Sequence, residues 1–370
     1  MNTLMETNNN GMPARLGRLL AIALLLLGAG CGGGGSDTPV IAAPPPPAAT
    51  HYIATKLVGD APGAAHADPN LVNAWGIAFN PNGFVWVSAG GTDKSTLYDG
   101  LGVPQTLVVG TPPEPTGIVF NGTQDFRVTQ NGLGGASPFL FATESGRIAG
   151  WSPGVNRTVA IEAYDGSGRN AVYKGLAIGA VAGANYLYAT DFRNNAIDVF
   201  DGTFTKITPA GTFRDASIPA GYAPFGIQAI GDRLYVTYAK REASGDDDEA
   251  GAGFGYVSVF DMRGNLVRSL VAGGALNAPW GLALAPADFG TFAGKLLVAN
   301  FGDGRINAYD AATGAPAGPL TQTDGTPIVI DGLWGIAFGN GLNGQPKNTL
   351  FFTAGPDDEA HGLYGRIDVR

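Results

Sequence analysis

One five-residue pattern recurs six times along this chain and limits its fold more than any bulk property. The copies are Trp75-Gly76-Ile77-Ala78-Phe79, Thr116-Gly117-Ile118-Val119-Phe120, Lys174-Gly175-Leu176-Ala177-Ile178, Phe225-Gly226-Ile227-Gln228-Ala229, Trp280-Gly281-Leu282-Ala283-Leu284 and Trp334-Gly335-Ile336-Ala337-Phe338. The glycine returns roughly every 40 to 58 residues, a period typical of arrays in which each unit packs on its neighbours. Each copy is followed by a second apolar run, such as Val85-Trp86-Val87-Ser88 or Leu350-Phe351-Phe352-Thr353. A third follows that, such as Ile197-Asp198-Val199-Phe200-Asp201. The runs are short, β-branched or aromatic, and bounded by Gly, Asn or Asp, so they predict strands joined by tight turns.

A weaker fourth strand follows in some units, Gln105 to Val109 and Asn265 to Val271. The sixth unit ends at Arg370 without one. Tyr52 to Val58, at the other end of the folded region, has the right character to supply it. The expected fold is therefore all-β: a six-bladed β-propeller over residues 51–370, closed by the N-terminal strand completing the last blade. Closure removes the free edges that an open array would expose. Each repeated glycine belongs on the innermost strand, where blades crowd the axis and a side chain would clash.

Composition agrees. Gly is abundant (58 residues) and charged residues are scarce (14%), as many tight turns require. The formal net charge is −9. Without Glu6, Arg15 and Arg18, 20 basic residues face 30 acidic ones, a net of −10. Such a surface repels phosphate backbones, so no nucleic-acid partner is expected. Arg15 and Arg18, the apolar run Leu19 to Leu27 and the small residues Gly28-Ala29-Gly30 read as a signal peptide over 1–30. The only cysteine, Cys31, follows directly. The segment resembles the lipobox of bacterial lipoproteins, with Gly28 where that motif usually has Leu, which implies lipidation of Cys31. Residues 31–50, Gly-rich and then Pro-rich, read as a tether. The expectation is an exported protein: cell envelope, anchored to the outer membrane or cell surface through Cys31, or secreted.

From about Thr50 to Arg370 the chain resembles an uncharacterised family of secreted bacterial propeller proteins. The resemblance is carried by Asp68 to Gly76, Leu187 to Asp201, Asn277 to Ala283, Asn300 to Ile306 and Ala354 to Gly362. It implies a propeller but no known activity. More loosely, the repeats are similar to NHL-type propellers and to those of gluconolactonase and streptogramin lyase. No metal-ligand motif of those enzymes matches this chain position by position.

The candidate site is the face where strand one begins and strand two ends, because six sets of loops converge there around the channel mouth. Trp75, Lys174, Trp280, Trp334 and Asn194 are the candidate ligand-binding residues. Glu144, Asp191, Asn300, Asp303, Asp357 and Asp358 are the candidate metal ligands, their oxygens suiting Ca²⁺ or Mg²⁺. The alternative is acidic turns that bond their own backbone. Two acidic loops match, Asp247 to Gly251 in blade four and Asp357 to Gly362 in blade six. His66 and His361 are the candidate acid or base, since blades one and six adjoin in a closed ring. The alternative is that each caps a loop through backbone hydrogen bonds. Trp86 and Trp151 read as core.

Two functions are open at this point. One is a cell-envelope binding module gripping a small molecule or protein on the mouth face. The other is a divalent-metal-dependent enzyme, lactonase- or lyase-like, at the same mouth. Convergence separates them: an enzyme needs carboxylates of several blades at one spot with a His in reach.

Overall fold

The computed structural model describes residues 50–370. The expected signal peptide, Cys31 and nearly all of the expected tether lie outside the described residues.

Six antiparallel sheets follow one another along the chain, the first five running from the axis outward in sequence order. Their innermost strands are Ala74–Phe79, Pro115–Phe120, Tyr173–Val181, Tyr222–Ile230, Pro279–Leu284 and Leu333–Phe338, so every copy of the repeat lies on the axis. Blade six is completed by Tyr52–Gly59, which pairs antiparallel with Leu363–Val369 from Tyr52 opposite Val369 to Gly59 opposite Leu363. A two-residue strand, His66–Ala67, runs parallel outside it. The chain is thus an all-β six-bladed propeller closed by its N-terminal strand, as its repeats imply.

Two details differ from expectation. The fourth strand of blade one is only Val109–Gly110, shorter than Gln105 to Val109, and it follows a turn in which the Asp99 carboxylate caps the Leu101 and Val103 amides. Blade two carries an extra hairpin, Arg127–Gln130 and Leu133–Ala136, between its first two strands. Its turn is Asn131-Gly132, both left-handed (φ 51° and 78°), the pairing that a two-residue hairpin favours.

The axial glycines are required by the ring itself. A Cβ on Gly76 would lie 2.4 Å from the Thr116 carbonyl oxygen, and on Gly226 1.9 Å from that of Trp280. On Gly281 it would meet Trp334 at 2.5 Å, and on Gly335 Trp75 at 2.7 Å. In each case the obstacle is the backbone just before the next blade's glycine. Each inner strand also bulges here, the ladder to strand two slipping around the repeat. In three blades a threonine of the second strand holds the glycine amide. The Gly175 amide donates to Thr190 Oγ1 at 2.7 Å, and that hydroxyl donates to the Phe225 carbonyl of the next blade at 2.7 Å. Thr237 and Thr353 accept from Gly226 and Gly335 in the same way.

The core is a set of clusters between neighbouring blades. Trp86 stacks on Phe139 with centroids 4.1 Å apart and touches Trp151, joining blades one and two, so both tryptophans are core residues as expected.

Candidate functional site

Of the residues before the axial glycines, Trp75, Phe225, Trp280 and Trp334 pack against one another at the mouth, and these side chains do not ring an opening. They fill it. Trp75 stacks on Trp334 with centroids 3.4 Å apart, and Trp280 meets both edge-on at 5.9 and 5.8 Å. Phe301 stacks on the other side of Trp334 at 3.9 Å, and Phe225 and Phe192 complete the cluster. Exposure is 1% for Trp75 and Trp334 and 9% for Trp280, so the aromatic group is a plug. The three indole N–H groups have no hydrogen-bond partner among the described residues. Phe192 and Phe301 were not anticipated. The signal was present, since Asp191-Phe192 and Asn300-Phe301 occupy the same repeat position.

Lys174 lies in this plug, 1% exposed. Its ammonium stands 5.2 Å from the Trp75 ring centroid and 5.8 Å from that of Phe192, within cation–π range. It donates to Glu144 Oε1 and, at 2.8 Å, to Asp247 Oδ1. Burial alone would lower its pKa, but the two carboxylates outweigh that and hold it raised. Lys174 is therefore charged at neutral pH.

More acid surrounds this cation than it can balance. Glu114, Asp248 and Glu359 join Glu144 and Asp247, so carboxylates of blades two, four and six gather over a lysine of blade three. Burial, then repulsion from Glu144, pushes Glu359 up to about 7 despite the pull of Lys174. Burial pushes Asp248 up to about 7 as well, with Asp247 adding repulsion. Burial and the Glu144 charge raise Glu114 too. Glu359 is held by Asn73 Nδ2, which donates to its Oε2 at 3.0 Å. The backbone here is strained: Asn73, Glu114, Asp357, Asp358 and Glu359 are all left-handed, with φ between 48° and 67°. The last three form one consecutive turn, and it is this turn that carries Glu359 to the lysine. Glu114 was missed, and nothing in its local sequence marks it.

The other candidate residues are not drawn to this point. Asp191 is fully buried, accepts from the Val172 amide and from Asn194 Nδ2 (2.8 Å), and has its pKa raised chiefly by burial. Asn194 is thus a partner of Asp191 in its own blade. Asn300 donates to the Ala275 carbonyl at 2.8 Å and to Asp303 at 3.0 Å in blade five. Asp357 and Asp358 are exposed. Of the proposed metal ligands, only Glu144 belongs to the lysine cluster. Among the described residues no group of three or more His, Cys, Asp or Glu side chains is arranged to hold a metal ion.

The histidines are also apart. His361 Nδ1 lies 2.9 Å from Asp60 Oδ2, whose other oxygen accepts the Gly362 amide at 2.8 Å. The hydrogen bond and charge of Asp60 raise the His361 pKa. His66 pairs with Val58 on the outermost strand of blade six, with Tyr52–Gly59 between it and the strand that follows His361.

Below the plug, the glycine ring encloses a cavity of about 40 Å³. The channel then widens to about 420 Å³ at its far end, walled by the last residues of all six inner strands, among them Phe79, Phe120, Leu284 and Phe338.

No family model matches the chain. An uncharacterised protein of Acanthamoeba polyphaga mimivirus is 38% identical over 317 residues, covering 82% of this chain and 76% of its own length. A second from the same virus is 35% identical over 321 residues and covers 82% of each. Among solved structures, a protein of unknown function from Bacteroides thetaiotaomicron aligns over 87% of this chain and 76% of its own, with a TM-score of 0.55 and 10% identity, a likeness of fold. A streptogramin B lyase covers 87% of this chain and 98% of its own at a TM-score of 0.44 and 13% identity. The sequence relatives are viral, so neither a bacterial source nor secretion follows from them. At such identity over most of its length, the chain belongs to the same family as these uncharacterised mimivirus proteins, and it does so as a six-bladed β-propeller.

Proposed function

We propose that the protein is a binding module whose plugged, acidic mouth takes a cationic group, the ammonium or guanidinium of a small molecule or of a partner protein. The observation that carries this reading is the convergence of Glu114, Glu144, Asp247, Asp248 and Glu359 on the single cation Lys174. Carboxylates so crowded that two of them have pKa values of about 7 gain from an additional positive charge. The left-handed backbone at Glu114 and Glu359 costs on the order of 1–3 kcal/mol per residue, and strain of this kind collects at functional sites. In this reading the aromatic plug is a floor on which the cation rests.

The test is calorimetric titration with agmatine, which carries both cationic groups. Binding is expected at about pH 8, weakening as the pH falls through 7 and the carboxylates protonate. It should be lost in the Asp247→Asn, Glu359→Gln double variant. No binding at any pH, or binding indifferent to the double variant, would overturn the proposal.

A second reading keeps the mouth but makes it an enzyme, lactonase- or lyase-like, working with Ca²⁺ or Mg²⁺. One observation favours it: carboxylates with pKa values of about 7 suit general acid–base work at neutral pH. Stoichiometric divalent metal in the purified protein, with a chelator-induced drop in melting temperature, would move the balance to it. In both readings the propeller is exported and held at the cell envelope by a lipid on Cys31, beyond the 31–50 tether. A Cys31→Ser variant that still fractionates with membranes would exclude the anchor.

A further inference from the structure

Away from the channel, a cavity of about 430 Å³ opens where the connection from blade three crosses to blade four. Its walls include Phe213, Tyr222 and Pro224, an aromatic and proline surface of the kind that accepts a flat apolar body. Its polar lining includes Asp215, Tyr238 and Arg214, each in a different state. Asp215 is committed: its Oδ1 accepts the Ser217 amide and hydroxyl at 2.9 and 2.6 Å, and its Oδ2 accepts the Ser258 hydroxyl at 2.8 Å. Those bonds outweigh burial and hold its pKa below the usual carboxylate value. Tyr238 is 4% exposed, and its hydroxyl makes no hydrogen bond among the described residues. Ser258 stands beside it but gives its proton to Asp215. Arg214 is exposed, and among the described residues it forms no ion pair with any carboxylate.

A buried hydroxyl without a partner is destabilising, so a ligand atom that satisfies it is favoured. An unpaired guanidinium at the rim of the same cavity selects negative charge, and its planar fork matches a carboxylate. We propose that this cavity is a binding site for a small aromatic carboxylate. The ring lies between Phe213, Tyr222 and Pro224, the carboxylate meets Arg214, and Tyr238 donates a hydrogen bond to a ligand oxygen. This site is separate from the acidic mouth and of opposite charge preference.

The experiment compares naphthoate with uncharged naphthamide by calorimetry on the full chain. Naphthoate should bind, and about tenfold more tightly than the amide, since a charge-assisted hydrogen bond is stronger than a neutral one. Arg214→Gln should erase the preference between the two. Tyr238→Phe, which keeps the ring and removes only the hydroxyl, should weaken naphthoate several-fold. Asp247→Asn at the mouth should leave all of these values unchanged, so failure of this proposal and failure of the mouth reading are distinguishable. Equal affinity for the two probes in the unmodified protein, no binding of either, or naphthoate affinity indifferent to both Arg214→Gln and Tyr238→Phe would overturn it.

Discussion

Lys174 is the residue on which the mouth depends. It is buried among aromatic rings, and its charge is what makes the surrounding carboxylates tolerable. Replacing it with Met should destabilise the protein at about pH 8 by about 1–3 kcal/mol, because Glu144 and Asp247 would lose their donor. Asp248 and Glu359 set the pH dependence. Their folded-state pKa values, about 7, lie above the ordinary carboxylate values, so the folded state binds more protons than the unfolded one between those limits. Their contribution is therefore most favourable below the unfolded pKa and is lost as the pH rises through 7. Glu359→Gln should raise the melting temperature at about pH 8 and flatten its fall between about pH 5 and 8. Lys174→Met should steepen that fall. Melting curves at several pH values check both, and a Glu359→Gln protein no more stable at high pH would remove the electrostatic account.

At the scale of the element, the blade-to-blade joint is the axial glycine with its bulge. The repeat made this joint legible, because a residue that must lack a side chain six times over leaves a periodic mark. Gly226→Ala should cost about 3 kcal/mol or more, since its Cβ would fall 1.9 Å from the Trp280 carbonyl oxygen and backbone cannot turn aside. Gly154→Ala, with nothing within 4 Å of the added carbon, should stay within about 0.5 kcal/mol of the parent. Equal losses in denaturant unfolding would show that the approach of the next blade's backbone is not what excludes a side chain at the axial position. The blade-two hairpin was readable from Asn131-Gly132 but hidden by the weak apolar character of Leu133-Gly134-Gly135-Ala136. Its core contribution comes from Phe126 and Val128, on the other side of the turn.

For the molecule as a whole, one strand decides whether the ring is closed. Tyr52–Gly59 supplies the outer partner of Leu363–Val369, and Tyr52 reaches on to blade five, stacking on Phe292 and donating to the Phe289 carbonyl at 3.1 Å. Deleting residues up to 60 leaves that edge of blade six unpaired, an edge ready to pair with another copy. The expected outcome is loss of a single cooperative melt and self-association on size-exclusion chromatography. A monomer that melts as the parent does would show that closure contributes nothing.

The sequence by itself determined the number of blades, the strand that closes them, the place of each axial glycine and the core role of Trp86 and Trp151. These follow from contacts within a blade or between neighbours, and such contacts repeat with the chain. It also marked Trp75, Lys174, Trp280 and Trp334 as one set, through their shared position. Only the tertiary structure decided that this set is a closed plug, that Glu114, Glu144, Asp247, Asp248 and Glu359 meet over Lys174, and that His66, His361, Asp191 and Asn300 are held elsewhere. Those contacts join loops of different blades, and their directions depend on left-handed turns such as Asp357-Asp358-Glu359. The composition of an acidic loop does not say which of its carboxylates the turn will aim inward. The backbone path does, and the closed ring sets that path.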